Sequence, residues 1–92
     1  MFIQVIHDIT DKSDWTKRLA DFEKQGPPTD MTLHSSGTST DGAKAFCLWE
    51  APSVRVLSSF LDQAVAGSAK NTYYALDEKA PATRLPTRLI AR

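Results

Sequence analysis

Lys44-Ala45-Phe46-Cys47-Leu48-Trp49-Glu50 is the stretch on which the fold turns. Its residues alternate with a period of two, putting Phe46 and Leu48 on one face of a strand and Ala45, Cys47 and Trp49 on the other. Both faces are apolar, which marks a strand inside a sheet rather than at its edge. Just upstream, Thr40-Asp41-Gly42 is a turn signal, because glycine takes a positive φ without steric cost. Before that turn, Met31 to Thr38 reads as a second, weaker strand. Met31, Leu33 and Ser35 alternate there with Thr32, His34 and Ser36, a polar mixture suited to an edge. Downstream, Pro52 fits the first turn of a helix or Ser53 its N-cap. Val54, Leu57, Leu61 and Ala64 form the apolar stripe of that helix and Gly67 its stop.

The flanks complete the pattern. Phe2 to Ile9 reads as a strand with apolar residues on both faces. Thr10, Asp11 and Ser13 are N-cap candidates for a helix whose stripe is Trp15, Leu19 and Phe22, and Gly26-Pro27-Pro28 ends it. Asn71 to Asp77, with Thr72, Tyr73, Tyr74 and Leu76, supplies the last strand. The order is β-α-β-β-α-β, an α+β arrangement with a four-stranded antiparallel sheet and two helices on one face. Right-handed crossovers put the first and third strands in the centre. Helices cover only one face, so Cys47 and Trp49 are expected on the other, buried against a second copy in a homodimer.

Ninety-two residues, 41% hydrophobic and 24% charged, suit one globular domain. Eleven Lys and Arg balance eleven Asp and Glu, so nucleic acid and membrane surfaces are not expected partners. From Lys79 onward there are four basic residues and no acidic one, which sets off a basic tail, 79–92, from a domain of residues 1–78. A single cysteine makes no internal disulfide and cannot alone hold zinc. MFIQVIHDIT lacks a basic n-region and a long apolar run, so a cytoplasmic location is expected.

Ala45-Phe46-Cys47-Leu48-Trp49-Glu50-Ala51-Pro52-Ser53 resembles the strand-to-helix junction of small bacterial proteins in the dimeric α/β-barrel superfamily. The family pattern ends in a strand bearing a Tyr, as Tyr73 and Tyr74 do here. The resemblance implies a ferredoxin-like sandwich and a homodimer. It lies close to a branch of uncharacterised and nickel-binding proteins. That branch carries a His at the end of strand one, which His7 matches, and a Gly-His-Pro-like turn after helix two. Here the turn reads Gly67-Ser68-Ala69-Lys70, so the expected cofactor is none, with a weak nickel site built from two copies as the alternative.

No nucleophile elbow, paired-carboxylate or metalloprotease pattern occurs, and Ser35 to Gly42 lacks phosphate-loop spacing. No residue is therefore assigned a catalytic role. Glu50 ends a strand ahead of a helix, where an acid suits the positive end of the dipole. His7, His34, Trp49 and Tyr73 are the candidate ligand-binding residues: aromatic walls with a few polar groups to orient a small molecule. The expected function is a non-enzymatic homodimeric module binding a small ligand or metal. The alternative is a cofactor-free monooxygenase- or isomerase-like enzyme acting on a small apolar or aromatic substrate.

Overall fold

A computed structural model describes residues 1–89; Ile90, Ala91 and Arg92, the end of the expected tail, lie outside the described residues. The elements are β1 (Phe2–Ile9), α1 (Lys12–Gln25), β2 (Thr32–Thr38), β3 (Lys44–Glu50), α2 (Val54–Ala64) and β4 (Ala69–Ala75). They form one four-stranded sheet in the order β2-β3-β1-β4, antiparallel throughout. This is the ferredoxin-like α+β arrangement, with β1 and β3 central as their apolar patterns require.

Local chemistry sets the boundaries. Asp11 caps α1 by accepting from the Asp14 N–H, and Gly26, at φ 73°, closes it with a bond from its own N–H to Phe22 O. Ser53, not Pro52, caps α2, its hydroxyl accepting from Val56 N–H. Helix α2 ends at Ala64, short of Gly67. The last strand begins at Ala69 rather than Asn71, because Ala69 pairs with Ile9 and the Ser68 carbonyl accepts from Thr10 and Asp11.

The two faces of β3 are the reverse of the sequence expectation. Ile3, Val5 and His7 of β1 stand opposite Trp49, Cys47 and Ala45 of β3, and all six side chains lie under the helices. Trp49 is 1% exposed and meets Phe22 of α1 and Phe60 of α2 edge-on, at 6.0 and 6.1 Å between ring centroids. Ile3, Val5, Met31, Trp49, Ala51, Leu57 and Leu61 form the core, with a smaller cluster of Trp15, Ala45 and Val65. Cys47 and Trp49 are therefore not on a free sheet face. An indole needs more cover than a flat contact gives, and two helix aromatics supply it.

The face away from the helices carries Phe2, Gln4, Ile6 and Asp8 of β1, Phe46, Leu48 and Glu50 of β3, and Tyr74 of β4. Phe46 and Tyr74 are exposed there. Phe2 is buried because the chain beyond β4 returns over it: the Arg88 guanidinium sits 5.4 Å from its ring centroid. In β2, a register shift between Leu33 and Ser35 breaks the alternation. Leu33 stays on the helix side opposite Trp49 and His34 meets Glu50 on the other, while beyond the shift Ser36 rather than Ser35 faces the helices.

Candidate ligand-binding site

Between the helices and the sheet lies a cavity of about 160 Å³, partly open to solvent. Its walls are mostly apolar: Trp15, Leu19 and Phe22 from α1, Leu33 from β2, Trp49 from β3, and Leu61, Ala64 and Val65 from α2 and its end. Arg18, Glu23 and Ser36 are its polar surface-side residues. Arg18 is held by Asp14 at 2.8 Å and donates to Ala64 O. The helix stripe that buries Trp15 and Phe22 is thus also what builds the cavity wall.

The polar end is a chain of hydrogen bonds that begins at His7. Its Nδ1 lies 2.6 Å from Asn71 Oδ1, and its Nε2 lies 3.2 Å from Cys47 Sγ. Asn71 Nδ2 donates to Asp62 Oδ1 at 3.0 Å, and the Tyr73 hydroxyl donates to the same oxygen at 2.6 Å. The indole of Trp15 packs tilted against the imidazole, 4.9 Å between centroids. Sheet register brings this set together: His7 pairs with Ala45 on one side and with Asn71 on the other, while Cys47 is two residues along β3.

Burial dominates the electrostatics. It holds His7 below the usual imidazole value of 6.5, the bond to Asn71 offsetting only part of the shift, so the ring is neutral at pH 7. It pushes the Cys47 thiol up to about 11, and the nearby Trp49 side chain only partly counters it. The Trp49 N–H itself reaches no acceptor at hydrogen-bond geometry among the described residues, nor does that of Trp15. Burial and the Asp62 carboxylate together raise Tyr73. Cys47 is therefore a protonated thiol, not a standing nucleophile.

Of the residues expected from sequence, His7 and Trp49 line the cavity, and Tyr73 stands two hydrogen bonds behind His7 through Asn71, with Asp62 accepting from both Asn71 and Tyr73. His34 is elsewhere. It lies on the opposite sheet face, its Nε2 3.0 Å from Glu50 Oε1 and its ring 5.4 Å from that of Phe2. Glu50, 1% exposed, also accepts from Leu89 N–H at 2.9 Å and faces the Arg88 guanidinium at 3.8 Å, with Arg88 also paired to Glu78. Sequence reasoning missed Asn71 and Asp62. Asn71 shares a strand face with Tyr73, but only the pairing of β1 with β4 shows it opposite His7.

Among the described residues, no three His, Cys, Asp or Glu side chains gather as metal ligands, and the two histidines are separated by the sheet. No helix among them is long and apolar enough to cross a membrane. No family model matches the chain, and neither the curated proteins nor the solved structures contain a match.

Proposed function

We propose that this chain is a small-ligand-binding module that holds a compact, largely apolar molecule between its helices and its sheet. The observation that carries the reading is the cavity itself: about 160 Å³, walled by aromatic and aliphatic side chains, with His7 and Cys47 as its inner polar groups. An apolar cavity of about 150 Å³ admits benzene, so a single ring is the fitting scale. The apolar walls supply binding through burial and the few polar groups supply orientation. Thermal melts of the protein with toluene test this. A melting temperature that climbs with toluene concentration and levels off supports the reading. A melting temperature indifferent to toluene and to other single-ring compounds counts against it.

The likeness to dimeric α/β-barrel proteins extends the proposal to a homodimer, now through the face that bears Ile6, Phe46, Leu48 and Tyr74. Phe46 is 39% and Tyr74 53% exposed on that face, an apolar surface that a second copy would cover. Light scattering at tens of micromolar that reports only monomer removes the dimer and leaves the cavity reading standing. The oriented imidazole favours one second reading, a cofactor-free isomerase-like enzyme in which His7 moves a proton on the bound molecule. Acceleration of deuterium exchange at the methyl group of acetophenone, lost in His7→Ala, would support it.

A further inference from the structure

We propose that the cavity selects small neutral aromatic molecules that carry a hydrogen-bond donor, phenol being the simplest, because Asp62 and Asn71 lock His7 in the tautomer that offers an acceptor nitrogen. The inference rests on the ligand-binding reading and adds the chemical class of the ligand.

The lock starts at the surface. An ionised carboxylate only accepts hydrogen bonds, so Asp62 Oδ1, 3.0 Å from Asn71 Nδ2, fixes which end of that amide faces it. Asn71 must then present its oxygen to His7, at 2.6 Å, and the proton of the neutral imidazole must sit on Nδ1 to meet it. Nε2 is left with a lone pair. Its partner is the Cys47 thiol at 3.2 Å, and S–H is a weak donor that a ligand hydroxyl or N–H can displace. His7 and Cys47 line the cavity whereas Asn71 does not, so the Nε2 edge is the one a ligand meets.

Charge narrows the class further. Among the described residues the one cation on the wall, Arg18, is already held by Asp14 and shares the wall with Glu23. Among the described residues no cation lies beside His7 to offset a carboxylate entering the apolar interior, and a buried unpaired charge is costly. A methyl ether has the shape of the phenol but no donor, and leaves Nε2 with only the thiol.

Calorimetry of the full chain with toluene, anisole, phenol and benzoate, repeated on Asp62→Ala, tests the inference. Asp62 is exposed, so its truncation leaves the core packed. Toluene and anisole should bind comparably, phenol about three- to tenfold tighter than anisole, as one net hydrogen bond allows, and benzoate most weakly. In Asp62→Ala the amide is free to turn, and the preference for phenol over anisole should fall to about one while toluene is unaffected. Ring ¹⁵N shifts of His7 in the free protein should place its proton on Nδ1. Phenol binding no tighter than anisole, benzoate binding tightest, or a proton on Nε2 each overturns the inference. If no aromatic compound binds, the ligand-binding reading fails instead, and the tautomer still decides whether the lock exists.

Discussion

Trp49→Ala separates the two possible roles of the β3 faces. The indole is 1% exposed and touches both Phe22 and Phe60, so its removal leaves a hole that neither helix can close without losing its own contacts. Core truncations of this size cost about 3–5 kcal/mol. A domain of this length has about 5–14 kcal/mol of stability in total, so the variant should be near the edge of folding. At about 4–8 °C per kcal/mol, the lower figure alone lowers the melting temperature by about 12–24 °C. Urea melts followed by far-ultraviolet circular dichroism measure this without relying on the deleted fluorophore. Phe46→Ala is the control, since Phe46 is 39% exposed on the other face and should cost less than about 1 kcal/mol in the monomer. If Trp49→Ala costs under 1 kcal/mol while Phe46→Ala unfolds the chain, the assignment of faces is refuted.

Other expectations follow from the same contacts. Because burial depresses His7, the folded state resists protonation, so the His7 contribution to stability should be constant above pH 6.5 and fall as pH drops below it; a His7→Gln variant should show a shallower fall in acid melts. The raised thiol works in the opposite direction. The native chain keeps the Cys47 proton, so its contribution is lost as pH rises from about 9 toward about 11, and iodoacetamide should label the native protein far more slowly than the unfolded one. Removing residues 79–92 should leave the domain folded but less stable by about 1–3 kcal/mol, because Glu50 loses its bond from Leu89 N–H and Phe2 loses the Arg88 cover; an unchanged melt would show that the tail does not pack. Calorimetry with Ni²⁺ should show no submicromolar site, since among the described residues no three His, Cys, Asp or Glu side chains gather as ligands; submicromolar binding abolished by His7→Ala would contradict that.

The legible parts of the fold were those set by local chemistry. Alternation in Phe2–Ile9 and Lys44–Glu50 and the stripe of Trp15, Leu19 and Phe22 each specify an element from neighbouring residues alone, while the caps were legible only as short sets of candidates from which the structure takes Asp11 and Ser53. Which face of β3 meets the helices was not legible. Phe46 and Leu48 are as apolar as Cys47 and Trp49, and the decision comes from Phe22 and Phe60, whose sequence positions do not reveal where they converge. The bulge at Leu33/Ser35 changed the parity of β2 beyond His34, setting Ser36 rather than Ser35 opposite Cys47, and no Gly or Pro marks it; His34 lies away from the site because it alternates with Leu33. Of the site, His7 and Trp49 were found because imidazole and indole stand out in a strand. Asn71 and Asp62 were not, since each acts only through a partner brought near by the β1–β4 register and the packing of α2.

The chain has two tryptophans, and both line the cavity, so their indole N–H resonances report on it directly. The decisive measurement is a ¹H–¹⁵N correlation spectrum of the full chain titrated with toluene. A ligand held against Trp15 and Trp49 should move both indole signals along saturable curves with one shared dissociation constant, leaving the amides of the far sheet face, around Tyr74, in place. Indole signals that stay fixed, or drift linearly without saturation while the Tyr74 side responds, would contradict a binding site between the helices and the sheet.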